Sequence, residues 1–374
     1  MLWDPKLNGY CGLARSERGF LEQPFGKFAG KALAQPARVA NRIPAWSKLL
    51  RQLTHRRNRL NLAAQLKSSD LILVPQIFRD SRGGLVTALG SQTGARRVGF
   101  FYDAIPWRRP DVTPSMNVKG VVEYMMALRD FDLIITSSRE AADDLQACWQ
   151  LHSPNSKRFA SVHVLPWPTD ESFDLNLKPA RSPLHHANDR RKILCVGTLE
   201  PRKNQLTLLA AAERLWREPH PAFELELIGR TTRECGPRVL AEVNRLRAAG
   251  QPAFWRRHVD DDALLRAYDE CVFTVFPSLL EGFGLPIVES LRRGKPCVCG
   301  ANGALGEVAA GGGCLTVDQT DAAALADAMQ RLLTDEMLYR RLCEEARARQ
   351  FENWPGYVEK LRALLEPATD TQAI

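Results

Sequence analysis

The sequence predicts an α/β protein of two parallel-sheet domains, on three observations. Short apolar, β-rich segments alternate with helical stretches along most of the chain, the pattern of strand–helix–strand units. A length of 374 residues exceeds what one core usually holds, so two domains of ordinary size follow. A polar, aperiodic stretch at 174–191, with Pro179, Pro183 and the pair His185–His186, divides the strands into two sets.

In the first set, 70–75, 97–102, 133–137 and 162–165 read as strands; in the second, 192–196, 223–228, 271–276, 297–300 and 314–317. The organisation expected is an N-terminal domain over 1–175, a linker over 176–191, a C-terminal domain over 192–350 and a closing helix over 351–374. Residues 1–30 offer only Gly9-Tyr-Cys-Gly12 and no strand. The last helical stretch, 337–365, is interrupted at Phe351-Glu-Asn-Trp354-Pro355, where Pro355 lacks the N–H that would continue a helix.

Composition narrows the class. Hydrophobic residues at 45% and charged residues at 25% describe a globular chain, and no run of about 18 apolar residues exists to span a bilayer. The start, Met-Leu-Trp-Asp-Pro-Lys, lacks the apolar core of a signal peptide, and nine scattered cysteines without Cys-x-x-Cys fit a reducing cytoplasm and no zinc site. Net charge is +8, yet twelve Lys and Arg against three acidic residues fall before residue 61, so the remainder is close to neutral. Over 43–66, leucines, Ile43 and Trp46 interleave with Lys48, Arg51, Arg56, Arg57 and Arg59, as in a basic amphipathic helix. That face suits either an anionic membrane surface or plain solvent; no nucleic-acid motif accompanies it.

The stretch Pro277-Ser-Leu-Leu-Glu-Gly-Phe-Gly-Leu-Pro-Ile-Val-Glu289 joins a buried strand to a helix through Gly282 and Gly284, with Pro286 at the first helical position. It sets Glu281 in the turn and Glu289 about one turn inside the helix. A helix N-terminus attracts phosphate while carboxylates accept from hydroxyls, and a nucleotide sugar needs both. Gly197-Thr-Leu-Glu-Pro-Arg-Lys-Asn204 follows an earlier strand and places Arg202 and Lys203 where negative charge can be met.

These two segments resemble the Glu-x7-Glu and Gly-x4-Arg-Lys-Asn motifs of the retaining family-4 glycosyltransferases, the glycosyl transferases group 1, of GT-B fold. The resemblance implies two doubly wound, Rossmann-like domains facing across a cleft, with the nucleotide diphosphate sugar in the C-terminal one and the acceptor mainly in the N-terminal one. It implies that Glu281 contacts the transferring sugar and Glu289 the ribose, with the backbone of Phe283, Gly284 and Leu285 near sugar and phosphate. Arg202 and Lys203 meet the leaving diphosphate, so no metal or other cofactor is expected. Gly197 heads the matching segment that opens the C-terminal domain and, by the resemblance, counts among the substrate-binding residues. Gly229-Arg230 is similar to the turn beside the nucleobase, and Glu307 to a glutamate near base or ribose; for Arg230 and Glu307 a solvated loop role stays open.

Tyr102-Asp103-Ala-Ile-Pro106 is similar to the family's His-Asp-Leu-x-Pro turn, with Tyr102 where the His would contact the donor sugar. Asp103 either orients the acceptor hydroxyl and takes its proton or forms the turn. Ser137-Ser138 reads as a helix cap, and Asp260-Asp261-Asp262 as a cap and acidic first turn. The expected activity is transfer of a hexose, mannose-like on the form of both turns, to a lipid-linked or polysaccharide acceptor in surface polysaccharide or lipopolysaccharide assembly. It would take place in the cytoplasm or at the inner face of its membrane. The alternatives are a catalytically idle GT-B binding module, a nucleotide-sugar epimerase or a phosphorylase. Glu281, as a polar site residue, is expected to contribute little to packing. No oligomeric state follows from the sequence.

Overall fold

Leu2–Asp4 (β1) and Gly9–Cys11 (β2) pair antiparallel with Trp3 opposite Tyr10. They lie where no strand was expected, because three residues are too few to display a period of two. The computed structural model describes residues 2–4, 9–11, 61–75, 77–78, 82–156, 158–169, 191–218 and 222–366. Most of the basic stretch 43–66 and nearly all of the linker 176–191 lie outside the described residues. Of the former only the short helix Leu62–Gln65, capped by Asn61, is described.

Leu71–Val74 (β3), Arg96–Phe101 (β4), Leu133–Thr136 (β5) and Ser161–Val164 (β6) form one sheet in that order, with β3 and β4 parallel. At its base Arg97 donates to Asp132 from Nε and Nη2, both at 2.9 Å, pinning the start of β4 to the turn before β5. By Cα proximity the chain divides into two compact units, one from Met1–Phe100, Glu123–Ile134 and Lys157–Ser161, the other from Phe101–Val122, Ile135–Ser156 and Val162–Ile374.

The second sheet has six strands: Arg191–Val196 (β7), Phe223–Ile228 (β8), Ala253–Arg256 (β9), Phe273–Phe276 (β10), Cys297–Gly300 (β11) and Cys314–Val317 (β12). Their order is β12-β11-β10-β7-β8-β9, and every pairing is parallel. Alternation along β7 sends Ile193 and Cys195 into the core made with helices Gln205–Trp216, Gly236–Ala248 and Ala322–Thr334, while Leu194 and Val196 meet Ala267 and Tyr268 of helix Asp261–Glu270. Both faces are covered, which is why the strands read as near-continuous apolar runs.

This order is the doubly wound one, with a topological switch between β7 and β10. The chain runs from β7 outward to β8 and β9, then returns beside β7 as β10 and runs the other way. The crevice beyond the strand C-termini therefore opens between the loops after β7 and β10. β9, an edge strand, was not anticipated. The expected break before the last helix is present: Glu336–Ala348 ends, and Trp354–Leu365 begins with Asn353 as N-cap and Pro355 in its first turn. Among the described residues no helix is long and apolar enough to cross a membrane.

Candidate functional site

The loop after β7 ends in a 3-10 turn, Pro201–Lys203, that hands over to helix Gln205–Trp216 through Asn204. Asn204 sits at φ 57°, the only described non-glycine with positive φ. Asparagine tolerates this left-handed conformation because its short side chain bonds locally. Here the side chain accepts from Thr207 Oγ1 at 2.6 Å and donates to the Gln319 carbonyl at 2.7 Å. The turn thereby presents Arg202 and Lys203 at the switch point.

The loop after β10 brings Glu281 to the same place. Its Oε2 accepts from Arg202 Nη1 at 2.6 Å, and its Oε1 from Lys203 Nζ and Ser278 Oγ, both at 2.5 Å. Arg202 also pairs with Glu200 at 2.7 Å, and the Arg202 carbonyl accepts from Leu279 N at 2.7 Å, which zips the two loops together. Lys203 Nζ stands 4.8 Å from the Phe276 ring centroid, and its stem runs beside Gly197. Glu281 retains only 9% exposure. Burial pushes its carboxyl up, but Lys203 and Arg202 outweigh that and hold it below the ordinary glutamate range. Glu281 also keeps Arg202 firmly charged, against the opposing effect of burial.

Gly284, at φ 110°, precedes helix Leu285–Arg292, whose first turn contains Pro286. Phe283 packs on the core under this helix, and Leu285 is exposed. Gly282 is required by close approach, since a Cβ there would lie 2.5 Å from the Tyr102 carbonyl oxygen. Its own carbonyl accepts from Ser137 Oγ at 3.0 Å and Ser138 Oγ at 2.8 Å. Ser138 also caps helix Arg139–His152, as expected.

Glu289 accepts from the buried Tyr268 hydroxyl at 2.7 Å. Burial raises its carboxyl above the ordinary glutamate range, and neither that bond nor Lys203 compensates. A raised folded-state value gives stability present below the unfolded value of about pH 4.3 and lost as pH rises through the folded one. Glu289→Gln, which keeps an acceptor for Tyr268 and cannot ionise, is therefore expected to melt above wild type near pH 7. The two should converge below about pH 4; a gain that persists unchanged at pH 3.5 would contradict this account.

The other residues singled out by sequence fall into three places. Asp103 forms a turn, its Oδ1 accepting from Ile105 N at 3.1 Å, and lies close enough to Arg202 to add to its charge stabilisation. Tyr102 stacks on Trp167 with centroids 5.5 Å apart, and Trp167 on Tyr357 at 5.8 Å. Arg230 is exposed, with its carbonyl accepting from Leu199 N at 2.6 Å beside Gly229. Glu307 accepts from Arg139 N and Glu140 N, both at 2.8 Å, at the start of helix Arg139–His152. In exchange Glu140 accepts from Ala304 N at 2.9 Å in helix Gly303–Ala309. Each helix thus supplies the carboxylate that satisfies the other's first N–H groups.

Sequence reasoning missed Ser278, Glu200 and Tyr268. Ser278 lies three residues before Glu281 and Glu200 two before Arg202, so local spacing was a usable signal for both; nothing local points from Tyr268 to Glu289. Asp260 caps helix Asp261–Glu270 through Ala263 N at 2.7 Å, and Asp261 and Asp262 occupy its first turn, as expected.

Residues 178–349 match the family described as glycosyl transferases group 1. The chain is similar to the serotype-specific mannosyltransferase WbdA of Escherichia coli, 29% identical over 227 residues, which are 57% of this chain and 27% of that protein. It is also similar to the O-antigen chain mannosyltransferase B of Escherichia coli, 36% identical over 146 residues, 38% of this chain and 37% of the other. The match thus spans about a quarter of the first relative's length and well under half of the second's. Among solved structures, sucrose-phosphate synthase from Thermosynechococcus elongatus superposes with TM-score 0.61 at 22% identity, over 76% of this chain and 70% of that one. Anabaena Alr3699/HepE in complex with UDP and glucose does so with TM-score 0.63 at 16% identity, over 94% and 90%. With a GT-B fold and the Arg202–Lys203–Glu281 cluster at the switch point of its six-stranded parallel sheet, the chain carries a glycosyl transferases group 1 segment over residues 178–349.

Proposed function

We propose that this chain transfers a hexosyl group, mannosyl in the first instance, from a nucleoside diphosphate sugar to a hydroxyl of a lipid-linked or polysaccharide acceptor, with retention. The observation that supports it most is the pair of cations held by Glu281 at the switch point, where α/β sheets bind phosphorylated ligands. In the reaction the acceptor oxygen bonds to the anomeric carbon, the bond from that carbon to the diphosphate breaks, and the acceptor proton passes to the departing phosphate oxygen. Negative charge grows on the diphosphate, and Arg202 and Lys203 are already in place to receive it without reorganisation. They serve where a metal would otherwise be needed. Glu281 holds both cations and, with the Phe283-Gly284-Leu285 backbone, contacts the sugar; Glu289 takes the ribose, and Asp103 orients the acceptor. The similarity to a serotype-specific mannosyltransferase and to an O-antigen chain mannosyltransferase supports mannose and polysaccharide assembly. A lipid-linked acceptor would bring the enzyme to the inner face of the cytoplasmic membrane, where each Lys or Arg of 43–59 adds about 1 kcal/mol toward an anionic leaflet.

The test is thermal stability against a panel of GDP-, UDP-, dTDP- and ADP-sugars, with Arg202→Ala/Lys203→Ala as control. A ligand that binds only the native state at about 100 times its Kd adds about 2.7 kcal/mol. We expect one base to raise the melting temperature by several degrees in wild type and not in the control. No shift with any nucleotide sugar would refute the donor assignment and favour a GT-B module without turnover.

A further inference from the structure

One strand beyond Glu281, the edge of the six-stranded sheet carries an open groove of about 560 Å³ at the C-terminal ends of β11 and β12, lined by the apolar Ala301 and Val317 together with Asn302, Thr316, Asp318, Gln319 and Thr320. Its polar groups are held in place. Gln319 Nε2 donates to Asn302 Oδ1 at 2.8 Å, and Asn302 Nδ2 donates to the Leu279 carbonyl at 3.1 Å, in the loop that ends at Glu281. The Gln319 carbonyl accepts from Asn204 Nδ2, so the groove floor is tied to the turn that presents Arg202 and Lys203. Gly300 makes the amide pair possible, since a Cβ there would lie 2.5 Å from Gln319 Oε1 and 2.6 Å from Asn302 Oδ1. On the rim, Asp318 Oδ1 accepts from Thr320 N at 2.9 Å and from its hydroxyl at 2.6 Å.

Beside the apolar Ala301 and Val317, the lining contains one carboxylate, two amides, two threonine hydroxyls and no cation. Such a surface repels a diphosphate and offers acceptors and donors to neutral hydroxyls. Neighbouring strands lie about 4.8 Å apart, so β11 and β12 stand about 5 Å and about 10 Å along the sheet from β10, whose following loop carries Glu281, and one sugar ring spans a comparable width. We propose that the groove is a subsite for a neutral sugar unit of the glycan acceptor, holding that unit beside the point where Arg202 and Lys203 receive the departing diphosphate. The assignment to the acceptor rests on the proposed transfer reaction; the assignment to a neutral glycan rests on the groove alone.

The two are separated by measuring glycan and nucleotide binding on the same samples. The full chain, Thr316→Trp and Asp318→Ala are titrated with α-linked mannotriose and maltotriose by saturation-transfer NMR and calorimetry, and in parallel with the nucleotide sugars above. Thr316 is exposed on β12, so tryptophan there fills the groove without entering the core. We expect wild type to bind one of the trisaccharides, both variants to bind it about tenfold or more weakly, as loss of a hydrogen bond to a charged group does, and the nucleotide-induced shift to be equal in all three. If turnover is found, KM for the acceptor rises in the variants and donor hydrolysis does not change. Failure of wild type to bind either glycan, or binding that ignores both substitutions, overturns the subsite. Glycan binding lost in the variants of a protein that no nucleotide sugar stabilises keeps the subsite and refutes the transfer reaction instead.

Discussion

Replacing Glu281 by alanine is expected to lower turnover about 10²- to 10³-fold and also to destabilise the protein, with the lost stability returning when a nucleoside diphosphate is added. The carboxylate is nearly buried and receives Arg202, Lys203 and Ser278 within 2.6 Å. Deleting it leaves Lys203 without its carboxylate and Arg202 with Glu200 alone. Removing one partner of a buried pair costs about 3–5 kcal/mol; because Arg202 keeps 21% exposure, the lower end applies. A diphosphate brings its own negative charge to the same cations, so it should raise the melting temperature more in Glu281→Ala than in wild type. The extra stabilisation that a nucleotide sugar gives over the bare diphosphate should shrink, because the sugar loses a contact. Turnover falls because mispositioned cations no longer meet the charge that develops on the leaving group. Thermal melts with and without nucleoside diphosphate, read beside turnover, check this. A variant as stable as wild type, or one whose nucleotide shift is smaller, would show that Glu281 does not organise the pair.

Gly229→Ala should be the most damaging single methyl group in the second sheet. A Cβ at 229 would stand 1.9 Å from the Gly197 carbonyl oxygen and 2.5 Å from its carbon, both backbone atoms. Neither side can retreat, because Gly197 N donates to Ile228 O at 2.9 Å, Leu199 N to Arg230 O at 2.6 Å and Thr232 N to Leu199 O at 3.1 Å. Relief requires parting the ends of β7 and β8, and changes of this kind cost about 4 kcal/mol or more. For a unit of this size that lowers the melting temperature by about 10 °C. Gly84→Ala is the control: it lies in helix Arg82–Thr93 with nothing within 4 Å of a new Cβ. Alanine there should stabilise by about 0.5–1 kcal/mol. Equal melting temperatures for Gly229→Ala and wild type would remove the steric reason given for this glycine.

Much of the second sheet was legible because its strands are buried on both faces and so stand out as apolar runs. The strands at Phe223–Ile228, Cys297–Gly300 and Cys314–Val317 coincide residue for residue with the sequence reading. Ala253–Arg256 did not stand out: it is four residues long, sits at an edge and leaves Phe254 38% exposed, so its pattern carries no contrast. Arg202, Lys203 and Glu281 could be named in advance because their loops follow strands that flank the switch point, although the residues lie nearly 80 positions apart. What the sequence concealed was burial. Read as a polar site residue with little packing, Glu281 is instead the centre of a nearly buried charge cluster, and only the third dimension supplies that. Glu307 shows the same limit, since its partners at Arg139 and Glu140 come from a segment more than 160 positions away.

The quartet of Arg202, Lys203, Glu281 and Glu200 also bears on kinetics. Two positive and two negative groups, held within salt-bridge distance, cancel at a distance. Beyond the screening length of about 8 Å in physiological salt, an approaching nucleotide meets no net local attraction from this cluster. On the proposed function the cluster therefore adds no long-range steering of its own to the encounter. Its attraction would be felt only at contact, when the phosphates begin to share the cations with Glu281. Through this cluster, ionic strength would then act mainly on how long the nucleotide stays, and little on how often it arrives.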